Sequence, residues 1–370
     1  ITGLGLGLGI DYSLLIVNRF REELHAGKSV DEAIKRTVST AGKTVFYSGL
    51  TIVITLASLT LFPLMFLKSF GYAGVTVVIM AVLGSLVALP ALLAILGKRI
   101  DKAVIRKSAI TPKEDGRWAQ TARFVMRRPV AVVVLSLVIL SVLAAPIKNI
   151  VFSQVDSRVL PASNPAAFAS KIISDRFPGQ EGNPVEIVIP NGALVQEEVN
   201  QYISEVAKVD GIVRVSPPQI LGNDLRITAV HSMPPRTLPA ESLIKDIRAI
   251  KSPDGTLIGG IAADYADTQI GIARTMPWAL TWIAVGVLVL LFVFTGSIIL
   301  PIKAVILNIL SLAATLGAIT WIFVDGHLRW LVGDFTVTGA VDTGSIILVA
   351  VVAFGLSMDY ELFLLSRIKE

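Results

Sequence analysis

Seven long apolar runs separated by polar stretches set the plan of this chain, at 1–17, 45–67, 70–96, 129–147, 276–294, 304–324 and 343–365. Each is close to the ~20 residues a helix needs to cross the hydrocarbon core of a bilayer, so seven membrane spans are predicted, the first cut short by the start of the chain. Between the fourth and fifth runs the pattern changes. Residues 150–270 have ordinary globular composition, punctuated by Pro161, Pro178, Pro184, Pro217, Pro218, Pro234 and Pro235. Period-two alternation at Val185, Ile187 and Ile189 predicts a strand, whereas Val199, Ile203, Val206 and Ala207 fall at helical spacing. After a lead-in helix following Ser163, the predicted order is strand 185–189, helix 196–209, strands 212–215 and 225–230, helix 240–251 and strand 257–262. That is βαββαβ, the split-βαβ or ferredoxin-like arrangement. The expected domains are therefore 1–147, 148–274 and 275–370.

Composition supports a polytopic α-helical membrane protein: 53% of residues are hydrophobic and only 16% charged. The net charge of +5 does not point to nucleic acid, because the basic residues flank apolar runs. Residues 18–44 carry Arg19, Arg21, Lys28, Lys35, Arg36 and Lys43, and 97–128 run from Lys98 and Arg99 to Arg127 and Arg128. Both loops read as cytoplasmic by the positive-inside rule, and alternation puts 148–274 and the 325–342 hairpin on the outer side. The chain opens on Ile1 and closes on Glu370 beside apolar runs, so it is expected to be an internal piece of a longer protein. In the first basic loop, Ser29-Val30-Asp31-Glu32 spells a capping box opening an amphipathic helix. That helix is expected on the inner leaflet or as a plain loop helix.

The chemistry lies in a phrase that occurs twice. Gly7-Leu8-Gly9-Ile10-Asp11-Tyr12 near the start is echoed by Gly355-Leu356-Ser357-Met358-Asp359-Tyr360 near the end. Asp11, Tyr12, Arg19 and Glu22 map onto Asp359, Tyr360, Arg367 and Glu370 at one constant offset. Each Asp precedes its Arg by eight residues, about 12 Å along a helix, which puts both carboxylates near mid-membrane. A carboxylate there costs at least ~2.5 kcal/mol on insertion scales and defaults to function. The functional reading is reversible protonation, with the tyrosine hydroxyls as hydrogen-bonding partners; the structural alternative is two acids and two rings that simply satisfy one another inside the bundle. Gly3, Gly5, Gly7 and Gly9 are not a phosphate loop, since no strand and polar helix start surround them. Their four-residue spacing predicts small faces for close helix packing.

No nucleophile constellation or metal-ligand spacing stands out, and cysteine is absent. His25, His231 and His327 fall in three separate segments and are each expected to be solvated or locally bonded. Nothing here predicts an enzyme, and no cofactor is implied.

Together, "GIDYSLLIVNRFREEL" at 9–24, "GKTVFYSGLTIVITLASLTLFPLMFLKSFGYAGV" at 42–75, "VLPASNPA" at 159–166 and "GLSMDYELFLLSRIKE" at 355–370 resemble the resistance–nodulation–division (RND) superfamily. Within it they resemble the mycobacterial membrane protein large (MmpL) lipid exporters. The last phrase departs from the first by lacking the glycine before Asp359 and by adding a third acid, Glu361. The resemblance implies a twelve-span RND-type bundle in the inner membrane, about seven spans of it present, with residues 150–270 as one of two periplasmic porter domains. It implies a proton relay that pairs Asp11 with Tyr360 and Asp359 with Tyr12, and a lipid or glycolipid substrate. Ser48, in "YSGLT", matches a position beside the pairs; its weight is low, because a membrane Ser usually bonds its own helix. The alternatives are a sterol- or lipid-sensing protein of the same superfamily and an auxiliary of protein translocation.

Overall fold

The computed structural model describes residues 1–101, 116–161, 163–177, 179–333 and 335–369. The chain divides into two compact units: Ile1–Ile147, Met276–Ala318 and Ile347–Glu370 form one, and Lys148–Thr275 with Ile319–Ile346 the other. The first unit opens with α1 (Thr2–His25), which buries Leu8, Tyr12, Ile16, Phe20 and Glu23 along a single stripe. Of its four glycines only Gly5 shares that stripe closely: a Cβ there would meet a Val77 methyl, whereas Gly3, Gly7 and Gly9 face open space. The two small faces expected from the spacing reduce to one residue, because the bulky stripe and not the glycines sets which side packs.

Ser29 caps α2 (Val30–Thr37) in the predicted capping box, its hydroxyl accepting from the Glu32 amide. The helix does not stop where a separate leaflet helix would. It continues through a π turn, Val38–Gly42, into α3 (Lys43–Ala57) as one helix Val30–Leu61. No proline or left-handed residue breaks it, and Thr40 bonds its hydroxyl back to the Arg36 carbonyl at 2.8 Å. α4 (Met65–Leu83) likewise passes through a π turn into α5 (Leu89–Leu96). α6 (Arg117–Arg127) precedes α7 (Pro129–Ala144), which is apolar apart from Ser136 and Ser141 and has no buried residue.

In the second unit, β1 (Phe152–Ser153) is followed by α8 (Pro165–Arg176), the lead-in helix. A five-stranded antiparallel sheet then forms from β2 (Val185–Ile189), β3 (Ile212–Val215), β4 (Gln219–Leu221), β5 (Asp224–His231) and β6 (Leu257–Gly259). The four predicted strands run β3-β5-β2-β6 across it. β4 was not expected: it pairs Leu221 with Asp224 across a two-residue loop whose first residue, Gly222, has φ +67°, the pattern of a II′ hairpin turn. α9 (Gln196–Val206) and α10 (Leu238–Ala249) cover one face, burying Val199, Tyr202, Leu243, Ile244 and Ile247 against Val185, Ile187, Ile189 and Ile227. The last strand ends sooner than predicted. Gly260, at φ +98° with the Pro184 carbonyl where a Cβ would stand, turns the chain directly into a helix.

That helix, α11 (Ile261–Thr295), starts well before the predicted span and carries Pro277 without breaking. α12 (Ile299–Ile319), the short α13 (Arg329–Val332), β7 (Val341–Asp342) and α14 (Thr343–Lys369) complete the chain. β7 pairs in parallel with β1, Phe152 opposite Val341. Among the described residues six helices are long and apolar enough to cross a membrane, not seven. α1 is the exception. Its apolar run is diluted by four glycines, Asp11 and the polar Arg19–His25 end.

Candidate functional site

The stripe that packs α1 into the first unit places Tyr12 at full burial and Asp11 beside it, partly exposed. On α14, Met358, Asp359 and Leu362 are buried, while Tyr360, one position on, is 60% exposed. Two neighbouring residues on a helix point about 100° apart, so each Asp-Tyr phrase presents one group inward and one to the side. The roles are swapped between the copies: the tyrosine is buried on α1 and the aspartate on α14.

This exchange brings the copies together crosswise. Tyr360 donates its hydroxyl to Asp11 Oδ2 at 3.3 Å. Asp359 and Tyr12 meet through Ser48 of α3, whose Oγ bonds the Asp359 carboxylate and lies 3.0 Å from the Tyr12 hydroxyl. Ser48 is the odd member of a buried polar stripe on α3. Thr51, Thr55 and Ser58 each turn back to a carbonyl of their own helix, those of Tyr47 at 2.9 Å, Thr51 at 2.5 Å and Thr55 at 2.6 Å, whereas Ser48 bonds across helices.

A serine hydroxyl has one proton and two lone pairs, and an ionised carboxylate can only accept. With Asp359 ionised, Ser48 therefore donates to it and Tyr12 donates to Ser48. With Asp359 protonated the whole chain can reverse, Asp359 donating to Ser48 and Ser48 to Tyr12. The three groups are fully or almost fully buried, at 0–2% exposure, where such a chain is electrostatically strong and a missing member is costly.

Other polar side chains brace this arrangement. Asn308 of α12, buried between apolar neighbours on its helix, donates to the Phe354 carbonyl of α14 at 3.0 Å. Trp282 of α11 donates its indole N–H to the Ile54 carbonyl of α3 at 3.0 Å. The ring of Tyr12 meets Phe363 edge-on at 6.3 Å. Sequence reasoning passed over Asn308 and Trp282. A lone Asn inside an apolar run was a readable signal for the first; the second carries none, since Trp is common in spans. Glu361 is partly buried and takes no part in either pair; the charge that bears on it is Lys303 of α12. His25 and His327 are bonded locally, to the Arg21 and Trp321 carbonyls, but His231 departs from the expectation: it is fully buried and bonds the Asn183 carbonyl from a distant segment of the second unit.

The MMPL family model matches residues 1–132 and 158–370. The chain belongs to the MMPL family. Among characterised MMPL proteins, the trehalose monomycolate exporter MmpL3 of Mycobacterium tuberculosis is 33% identical, its alignment covering 100% of this chain and 44% of the relative. The mycolic acid-containing lipids exporter MmpL11 of Mycolicibacterium smegmatis is 30% identical, over 100% of this chain and 40% of its own length. Membrane protein SCO6666 of Streptomyces coelicolor is 38% identical, over 100% and 51%. The chain thus spans about half the length of the curated relatives it matches. In fold it is similar to SecDF, a translocon-associated membrane protein from Thermus thermophilus, with a TM-score of 0.51 at 16% identity, covering 99% of this chain and 43% of that one.

Proposed function

We propose that this chain is the central part of a lipid or glycolipid exporter of the inner membrane, driven by the proton-motive force. The observation that carries the proposal is the crossed pairing of the repeat: Asp11 with Tyr360, and Asp359 with Tyr12 through Ser48. One acid of the two is held inside the bundle on a hydroxyl chain that can run in either direction, and the other is partly exposed. A proton passing between such sites supplies about 2.3 kcal/mol per 100 mV of membrane potential, enough over a few steps to shift a bundle between two packings. Glu361 is an accessory acid in this scheme.

The second unit is proposed as one periplasmic porter domain of ferredoxin-like type. Its βαββαβ order and antiparallel arrangement β3-β5-β2-β6 support that assignment, and the Lys- and Arg-rich loops support an outward-facing placement. The repeat of the Asp-Tyr phrase on two helices supports a twelve-span protein built from two halves, the remainder of which is the partner this chain works with. The exporter names of MmpL3 and MmpL11 favour lipid cargo over sensing or protein translocation. The likeness to SecDF is one of fold.

The test is full-length protein in vesicles enclosing a pH-sensitive dye, with an imposed proton gradient. Lipid movement should dissipate the gradient and stop when a protonophore collapses it. Lipid movement that continues unchanged without a gradient would refute proton coupling.

A further inference from the structure

We propose that the loop between the last two spans is a lipid-docking element, which seats Trp330, Leu331 and Val332 in the bilayer interface and takes the headgroup of an anionic phospholipid in the cavity beside Arg329. The loop, residues 325–342, joins two helices long and apolar enough to cross a membrane, Ile299–Val324 and Thr343–Leu364. Its ends are therefore fixed at the bilayer surface by the chain itself. On that loop three consecutive large apolar side chains stand out from the protein, Trp330 at 82%, Leu331 at 65% and Val332 at 48% exposure. In water such a cluster is unfavourable; at the lipid headgroup level an indole with an adjacent aliphatic pair is at home.

The loop is built to hold this display. Trp321 stacks on His327 at 4.5 Å, and His327 Nδ1 bonds back to the Trp321 carbonyl at 2.9 Å. Leu328 is held at φ +56° immediately before α13, a left-handed conformation that a bulky residue rarely adopts. That turn sets the direction in which Arg329–Val332 leave the loop.

Behind it lies a cavity of about 680 Å³ lined by Val159, Pro161, Phe323, Arg329, Phe335 and Val337, among others. Arg329 lies 5.7 Å over the Phe335 ring, which in turn packs 5.1 Å from Phe323. It is the one charge among the described lining residues. A guanidinium at an apolar, aromatic cavity matches an amphiphile: phosphate oxygens on the fork of donors and acyl carbons on the rings. A free phosphate ion would have no use for those walls, which commits the site to a phospholipid.

The experiment uses the full-length protein in phosphatidylcholine nanodiscs doped with phosphatidylglycerol brominated on its acyl chains. Bromine quenches nearby indoles, so wild type should lose more tryptophan emission than Trp330→Phe. Native mass spectrometry of the purified protein should show phosphatidylglycerol retained over phosphatidylcholine. Arg329→Gln should cut that preference about fivefold, the weight of one basic side chain at an anionic surface. Thr336→Leu, which narrows the cavity from an exposed position, should lower the total lipid retained. Equal quenching in wild type and Trp330→Phe, or an undiminished preference in Arg329→Gln, would overturn the proposal. Asp359→Asn should retain lipid as wild type does, so this proposal and the proton relay stand or fall separately.

Discussion

Ser48 stands between Tyr12 and Asp359, with its oxygen 3.0 Å from the tyrosine hydroxyl and bonded to the carboxylate. Removing that hydroxyl leaves Asp359 and Tyr12 buried with one partner fewer each. Loss of a buried hydrogen bond to a charged group is worth about 1.5–3 kcal/mol, or about ten- to a hundredfold in a rate that depends on it. Ser48→Ala in the full-length protein should therefore reduce lipid export by at least tenfold while membrane levels, read by blotting, stay normal. Export at wild-type rate would reduce Ser48 to a packing residue.

That the two Asp-Tyr phrases lie at equal depth was legible because the phrase repeats at a fixed offset; their crossed pairing was implied only by the resemblance to the MmpL exporters. The bridge by Ser48 was not legible. A serine in an apolar helix carries no mark of whether it bonds its own carbonyls, as Thr51, Thr55 and Ser58 do, or reaches across; only the packing of α1 and α14 against α3 decides. β2 was readable from the alternation of Val185, Ile187 and Ile189, whereas β4 depends on the turn chemistry of Gly222 and, like the two-residue β1 and β7, is too short to show a period. The continuous helix Val30–Leu61 escaped for the opposite reason. Its polar first turns look like a loop helix, and sequence patterning has no signal for a π turn that carries a helix onward.

Gly317 marks a place where α12 and α7 cross at backbone distance: a Cβ there would stand 2.1 Å from the Leu143 carbonyl oxygen and 2.9 Å from Ala144 Cα. Neither atom can move aside without shifting a helix. Gly317→Ala should destabilise the membrane unit by about 1–3 kcal/mol, the range for overpacking, seen as a lower melting temperature in detergent. An unchanged melting temperature would show that the crossing is loose.

In the second unit the hydroxyl of Tyr202 is buried without a hydrogen-bond partner among the described residues, and burial pushes its pKa up to about 12. An unmet buried polar group costs about 1–3 kcal/mol. Tyr202→Phe should be neutral or stabilising by chemical denaturation. Marked destabilisation would reveal a partner for that hydroxyl.

His231 is buried at the end of β5, where Nε2–H donates to the Asn183 carbonyl at 3.1 Å. Burial, the largest cause, holds its pKa below the ordinary 6.5. The unfolded chain therefore takes up a proton near pH 6.5 that the folded unit resists, and stability is lost as pH falls through that value. Protection of the β5 amides against hydrogen exchange, taken relative to the intrinsic exchange rate at each pH, should fall between pH 7 and 5 in wild type more than in His231→Gln. Equal pH dependence in the two proteins would remove His231 as the cause.

The central claim is that Asp11 and Asp359 carry protons, and the most direct measurement is proton-coupled lipid export by the full-length protein with both acids replaced by asparagine. Asn keeps the size and hydrogen-bonding reach of Asp but cannot ionise, so folding and insertion should survive while export is abolished, with Tyr12→Phe and Tyr360→Phe impaired more mildly. A well-inserted Asp11→Asn/Asp359→Asn protein that still exports at the normal rate would contradict the account and leave the two carboxylates as structural hydrogen-bonding groups.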